Sequence, residues 1–438
     1  MSEIIIFWFR RDLRLNDNHG LFKALDNGVP VLPVFIFDKN ILERLNSTND
    51  ARVNFIYEEI LKIKSKLESA GSSLRIFYST PEDAFRSLLD EYNVVSVHGN
   101  KDYEPYARQR DEKIFRFLAG RGVPLNLYKD HLIFEEDEIL KDDGTPYTIF
   151  TPYSKKWKKF LFQNEIESFP SEKFTERFLK TAHFKMPELS EMGFAGSSPE
   201  IPSPDISEPL ISNYAVTRDI PAVNGTSRIG VHLRFGTLSI REVVRRARKW
   251  SEVFLNELIW REFFSAVLWH FPKAAEMSFD SRYDFINWRN DETEFERWQY
   301  GQTGFPFVDA GMRELITTGF MHNRVRMVVA SFLTKHLLID WRWGEAWFAE
   351  HLLDFDQSSN NGNWQWAAGS GCDAAPYFRI FNPANQQKKF DPDMLYIKKW
   401  VPEVHSGNYP EPMVDHIYAR RRALEQYKMA LKGFGKVN

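Results

Sequence analysis

The chain has 438 residues, 43% of them hydrophobic and 27% charged, with a net charge of −3. That length suits two domains with cores of their own, and the balance excludes disordered, collagen-like and disulfide-stapled classes. The near-neutral charge argues against a surface coated in cations for nonspecific nucleic-acid binding, and no run reaches the ~18 consecutive apolar residues of a membrane helix.

The first residues, MSEIIIFWFRRDLRLND, lack the charge-then-apolar order of a signal peptide. With a single cysteine, Cys372, which can build no intramolecular disulfide, no four-cysteine zinc site and no cysteine-ligated iron–sulfur cluster, they predict a cytoplasmic protein. Short apolar, β-branched runs follow at Ile4–Phe9, Val31–Phe37, Leu74–Tyr78, Val94–His98 and Leu125–Tyr128, separated by helix-period stretches such as Ala51–Ala70. Buried strands alternating with helices predict a doubly wound, Rossmann-like parallel sheet over residues 1–130. Its first strand runs into Arg10-Arg11-Asp12-Leu13-Arg14 rather than a G-x-G-x-x-G turn, which excludes the usual dinucleotide fingerprint.

Residues 131–212 read as an interdomain linker, with periodicity fading and Pro, Ser and Glu accumulating from Phe169 to Ser212. Beyond it apolar spacing of three and four residues, in Ile240–Ala247, Glu252–Leu268, Val308–Leu315 and Asn323–Leu338, predicts an all-helical domain over 213–438. Eleven of the 13 Trp lie in this half.

Three stretches there carry more chemistry than a scaffold needs. Tyr214, followed by Asn224-Gly225-Thr226-Ser227-Arg228 before a helix, suits a phosphate cradle, with a plain capping turn as the alternative. Phe355–Gly371 is so rich in Asn, Gly and Ser that it predicts a loop rather than a helix, lining a pocket for a flat, polar-edged ligand with Trp364 and Trp366. Glu257, Trp260 and Arg261 share one helix face, as do Asn323, Arg326 and Met327, and together could read a nucleobase edge and a phosphate. No H-E-x-x-H, P-loop or G-x-S-x-G occurs, so metal, nucleotide and serine hydrolysis have no support and no metal site is expected.

These stretches, with FWFRRDLRLNDN, NELIWREF, TGFPFVDAGMRELITTGFMHNRVRM and NNGNWQWAAGSGCDAAPYFRIFNP, closely resemble the photolyase/cryptochrome family, in particular the class I cyclobutane pyrimidine dimer photolyases. The resemblance implies FAD in the helical domain, held by Tyr214, Thr226, Ser227, Arg228, Ile229, Gly230, Arg261, Asn323, Arg326, Asp354, Asp356 and Asn360. It implies a lesion cavity lined by Glu257, Trp260, Asn323, Met327 and Trp366, Arg324 and Arg379 at DNA phosphates, and electron transfer through Trp364, Trp341 and Trp288. The residues 1–130 would then be an antenna domain. Gly230 stands where the family commonly has a serine, which leaves only a backbone N–H there. Folate users of the family carry Asn-Glu in the segment that here reads Tyr103-Glu104-Pro105-Tyr106-Ala107-Arg108, so a deazaflavin or second flavin, or an empty antenna site, is expected instead.

Side chains also separate the subclasses. The (6-4) photolyases place His where Asn323 and Met327 stand, plant-type cryptochromes an Asp at Asn360, and DASH types a Tyr at Trp366. The implied activity is a light-driven carbon–carbon lyase that repairs ultraviolet-damaged DNA as a monomer without an obligate protein partner. The rivals are a blue-light receptor, which in this family usually extends beyond a final helix such as Tyr418–Lys432, and a redox flavoprotein that leaves the lesion-cavity residues unexplained.

Overall fold

A computed structural model describes residues 2–196 and 201–433. Residues 197–200 of the expected linker and the last five residues lie outside that description. Contacts divide the chain into two compact units: Met1–Ile139, Trp157–Asp205 and Arg228–Lys249 form the first, and Leu140–Lys156, Ile206–Ser227 and Trp250–Asn438 the second. The division does not run at residues 130 and 212.

In the first unit five parallel strands, β1 (Glu3–Phe9), β2 (Val31–Asp38), β3 (Arg75–Ser79), β4 (Asn93–Asn100) and β5 (Leu125–Tyr128), lie in the order β3-β2-β1-β4-β5. The helices α1 (His19–Leu25), α2 (Lys39–Leu42), α3 (Ala51–Ser69), α4 (Pro81–Glu91) and α5 (Pro105–Ala119) follow in chain order between and after the strands. β1 is central because Ile4–Phe9 are all apolar and all buried, as a strand covered on both faces must be. Where β1 ends, the chain fills the turn with its own ion pairs. Arg10 meets Asp111 at 2.5 Å and Arg14 meets Asp130 at 2.7 Å, all four side chains being nearly or wholly buried.

Two later segments join this unit for definite reasons. From Trp157 in α6 (Phe150–Gln163) onward the chain is pinned to this unit: Trp157 is buried edge-on to Phe134, Phe169 stacks on His19 at 3.8 Å, and Leu179 N donates to Val31 O at 2.8 Å. After α7 (Glu208–Thr217), helices α8 (Gly230–Phe235) and α9 (Ile240–Trp250) are tied down by Arg241, which pairs with Asp130 at 2.9 Å and Asp17 at 3.2 Å. Between those two helices Gly236 adopts φ +64 and lies so close to Arg11 and Asp12 that a Cβ would overlap their backbone.

Apart from an isolated bridge between Leu140 and Pro146, the second unit has only helices as regular elements among its described residues. It holds α10 (Glu252–His270), α11 (Glu292–Gln299), α12 (Pro306–Thr318), α13 (Asn323–Ser331), a π-helical turn (Phe332–Leu337), α14 (Trp341–His351), α15 (Gln357–Ala368), α16 (Pro383–Phe390), α17 (Leu395–Trp400) and α18 (His416–Gly433). Its core gathers Trp298, Trp341 and Trp364 with Phe307, Phe332 and Phe348. The periodic run Asn323–Leu338 therefore changes pitch at Phe332 and ends at Leu338, a non-glycine residue at φ +54.

The expectation of a loop over Phe355–Gly371 is corrected: Gln357–Ala368 is a helix. Its poor intrinsic propensity is overridden because its polar residues are spent on tertiary bonds. Asp356 caps it by accepting from Ser359 N at 3.1 Å, and Gln365 Nε2 donates to Ala274 O at 2.8 Å. Gly362 is required where α15 crosses α10, since a Cβ there would overlap the Phe264 ring.

Burial holds two histidines far below their ordinary range, His98 at about 4 and His336 at about 3. The unfolded chain takes up those protons near pH 6.5 while the fold refuses them, so stability falls as pH drops from 6.5 toward 4, by about 1.4 kcal/mol per pH unit for each proton. Urea unfolding between pH 7 and 4 should show that loss, and His98→Gln and His336→Gln should each flatten it. Unaltered slopes in both variants would reject the assignment.

Candidate functional site

The residues singled out above fall into three groups within the second unit. On α10, Glu257, Trp260 and Arg261 occupy one face. Glu257 accepts from Arg218 Nη1 at 2.6 Å, with both side chains half-buried. Burial pushes the Glu257 carboxyl above its ordinary range while the Arg218 guanidinium pulls the other way. Arg218 also lies 5.4 Å over the ring of Tyr214, which meets Phe254 edge-on at 5.0 Å.

The next residue, Asp219, accepts from Arg324 Nη2 at 2.8 Å, and Arg324 rests 4.4 Å over Phe390 with Met327 Sδ 3.6 Å away. Arg218 and Asp219 thus stitch the end of α7 to α10 and α13. Trp260 stacks on Phe150 at 3.7 Å and 4°, meets Phe264 tilted at 5.4 Å, and stays half-buried. The start of α13 is fixed from behind. His322 caps it, and Glu314 Oε2 accepts from His322 N at 3.2 Å and from the Tyr396 hydroxyl at 2.6 Å, which sets exposed Asn323 at the first helical position.

The second group surrounds the start of α15. Arg326 pairs with Asp354 at 3.0 Å and donates through Nε to Met321 O at 2.7 Å. Asn360 Nδ2 donates to Glu345 Oε1 at 2.8 Å and to the Glu345 backbone carbonyl at 3.1 Å. A carbonyl can only accept, so the amide orientation is settled. Asn360 is left presenting its oxygen. On α10, Asn256 Oδ1 is buried with no partner. A buried acceptor without a donor and a fixed amide oxygen are the kind of groups that a ligand edged with N–H groups, such as the FAD implied by the resemblance, would meet.

The third group is aromatic. Trp364 and Trp341 are buried, and Trp288 packs against the same core. The Trp364 ring lies on Gly344, three residues beyond Trp341 and therefore on the same face of α14.

Other expected residues stand apart. Trp366 is half-buried against the core, and Arg379 is exposed, 5.7 Å from Phe381. Thr226 and Ser227 belong to the second unit, whereas Arg228, at φ +50, Ile229 and Gly230 belong to the first. The six-residue helix that Gly230 opens has no side-chain cap, which disfavours the plain capping turn. Sequence reading missed Arg218, Asp219, Phe150 and Glu345. The Arg218–Asp219 charge pair just past Tyr214 was a usable signal for the first two, whereas Phe150 and Glu345 act across packed helices that no local pattern joins.

Comparison with known proteins places these groups in context. The family described as "FAD binding domain of DNA photolyase" matches residues 254–407, and that described as "DNA photolyase" matches 5–173. The deoxyribodipyrimidine photo-lyase of Synechococcus sp. is 36% identical over 95% of this chain and 94% of its own. Among solved structures, a bacterial class III photolyase from Agrobacterium tumefaciens superposes with TM-score 0.86 at 33% identity, covering 99% of this chain and 98% of its own. An archaeal photolyase from Sulfolobus tokodaii with two FAD molecules gives 0.83 at 33%, covering 97% and 99%. With a class III enzyme among them, the comparisons do not single out class I.

A Cβ on Gly344 would overlap the Trp364 ring. Gly344→Ala should therefore cost roughly 1–3 kcal/mol by overpacking, read as a lower thermal midpoint. Gly407→Ala, with nothing within 4 Å, is the control. Equal midpoints in the two variants would show that α14 and α15 are not in close contact.

Proposed function

The chain belongs to the DNA photolyase family, and from that premise we propose that it is a deoxyribodipyrimidine photo-lyase, binding FAD in its helical unit and splitting cyclobutane pyrimidine dimers in ultraviolet-damaged DNA. The observation that carries the reading is the fixed amide of Asn360. With Nδ2 committed to Glu345, its oxygen is offered to a ring N–H, the group that a reduced flavin adds. Arg326 and Asp354, with Tyr214, Thr226, Ser227, Arg261 and Asp356 of the same unit, supply the remaining polar contacts. FAD, when bound, supplies the light-driven electron that opens the cyclobutane ring and takes it back afterwards.

The protein's own residues do the rest. A dimer flipped out of the duplex costs less than a paired base because its pairing is already weakened. Trp260, with Trp366, Met327 and Asn323, encloses it and excludes water. Arg324 and Arg379 hold the flanking phosphates, for which Arg324 exchanges its Asp219 partner. Trp288, Trp341 and Trp364 pass an electron inward when the cofactor must be reduced. Asn323 and Met327 rather than histidines favour the cyclobutane lesion over the (6-4) lesion. A second flavin or a deazaflavin in the first unit serves as antenna. No helix among the described residues is long and apolar enough to cross a membrane, and the protein works as a cytoplasmic monomer with DNA as its partner. Purified protein should remove dimers from DNA under blue light and not in the dark. Equal dimer content after both treatments would refute the reading.

Glu257 gives the sharper test. Its raised pKa favours the proton that a carboxyl needs in order to donate to a pyrimidine edge that is gaining negative charge. Glu257→Ala should keep FAD content and folding but lower the repair yield per absorbed photon several-fold. Glu257→Gln, which retains a donor, should lose less. Full yield in Glu257→Ala, measured with reduced flavin at saturating lesion, would reject that role.

A further inference from the structure

The helix α9 carries five cations in eleven residues, Arg241, Arg245, Arg246, Arg248 and Lys249, against one acid, Glu242. Overall composition does not explain this, since the chain holds 60 acidic residues to 57 basic ones. One side of α9 lies along the end of α6 and the chain that follows it. Arg241 rests 5.0 Å over Phe169, Arg245 Nη2 donates to the Glu167 carbonyl at 3.0 Å, and Arg248 rests 4.8 Å over Phe162. Phe162 is 57% exposed, and Lys158 and Lys159, four and three residues before it on α6, come to the same side. All of these residues belong to the first unit.

Only part of this charge is used inside the fold. Arg241 is buried against Asp130 and Asp17, and Arg246 pairs with Glu242 at 2.7 Å. Arg245 reaches Asp17 only at 3.9 Å. Arg248 and Lys159 are exposed, and among the described residues no carboxylate lies within ion-pairing distance of either. Like charges three and four residues apart, as Arg245, Arg248 and Lys249 are, weaken a helix. The helix dipole favours the two in the last turn of α9, but Arg245 lies before that turn, and the last turn of α6 holds no cation. An exposed phenyl ring among these cations is a further cost without a folding reason. As a platform it makes sense, because it holds the Arg248 guanidinium flat and leaves the N–H edge to solvent. That edge matches two oxygens of one phosphate, and the neighbouring cations match the phosphates on either side.

We propose that Lys159, Arg245, Arg248 and Lys249 around Phe162 form a second DNA contact, which holds the phosphate backbone of undamaged duplex. The lesion residues, Arg324 and Arg379 among them, belong to the other unit. With a net charge of −3 the chain as a whole attracts no polyanion, so attraction must come from a local face. The first unit retains DNA between lesions, at an affinity set by salt and not by sequence. The inference rests on DNA being the substrate.

Fluorescence anisotropy of FAD-loaded protein with undamaged duplex, over a series of salt concentrations, tests it. Lys159→Glu/Arg248→Glu should weaken binding roughly tenfold or more and lower the slope of log affinity against log salt by about two, with flavin content and thermal midpoint kept. Lys159→Gln/Arg248→Gln, which removes the charges without adding acids, should lower the slope equally. Lys428→Glu/Lys432→Glu, which makes the same net change at exposed positions of α18, should keep most of the affinity. Unchanged affinity and slope in the folded glutamine variant, or an equal loss in Lys428→Glu/Lys432→Glu, would overturn the face. A glutamate variant that loses phosphatidylserine vesicles but keeps DNA would overturn it too, in favour of a membrane surface. Wild type that binds undamaged duplex yet removes no dimers in light would refute the proposed activity and leave the face standing.

Discussion

The close approach of α14 and α15 is the constraint on which the helical unit depends. It is possible only because residue 344 is a glycine, against which the Trp364 ring lies directly. That contact buries one of the largest side chains in the core and fixes the rotation of α15 about its axis. One turn before Trp364, Asn360 is then brought to Glu345 on the facing helix, and its amide is locked. Glycine at 362 performs the same service on the other side, where α15 meets Phe264 of α10. A helix of low intrinsic propensity is thereby held from both flanks, and its polar side chains become directional because the backbone beneath them cannot shift.

Charge is handled differently in the two units. In the first, Arg14, Arg241 and Asp130 lie deep and paired, so the aspartate is held well below the ordinary carboxylate range by its two guanidinium neighbours. Removing one partner there would strand a buried charge, which is costly. In the second, Arg218–Glu257 and Arg324–Asp219 are half-buried pairs. Pairs at that depth contribute little net stability, so exchanging either carboxylate for another anion would cost the fold little. Buried ion pairs thus hold the turn after β1, whereas the half-buried ones remain partly open to solvent.

How far the sequence could be read follows from the range of the interactions involved. The strands were legible because each is a short run rich in apolar residues, continuous in β1 and β2, which are buried on both faces, and β2, expected at Val31–Phe37, is Val31–Asp38. The helices of the second unit were legible where an apolar face repeats every three or four residues. Residues 357–368 were misread because local composition argued for a loop, whereas the decisive terms are long-range: Gln365 to Ala274, Asn361 to Ala275 and Gly362 to Phe264. For the site, helical spacing named Glu257 and Arg326 and the family resemblance named Asn360, but neither gave the residues that orient Glu257 and Asn360. Arg218 and Glu345 lie on other helices, and pairing across helices leaves no local period in a sequence.

The two ends of α15 show what its awkward composition achieves. Its first turn presents the uncapped N–H groups and partial positive charge of a helix start, answered by Asp356, and places Asn360 one turn inside. Its last carbonyl, Ala368 O, carries the opposite partial charge and accepts from both Lys335 and Tyr427. A stronger helix former at every position would raise propensity by a few tenths of a kcal/mol each yet remove the amide, the indoles and the glycine that let the ends act. Asn360 near one end has its amide fixed by Glu345, and Trp364, one turn on, packs on Gly344. The carbonyl at the other end gathers the amine of Lys335 and the phenol of Tyr427. The low propensity of α15 is therefore a consequence of chemistry carried along its whole length, and the packing of Trp364 on Gly344 offsets it.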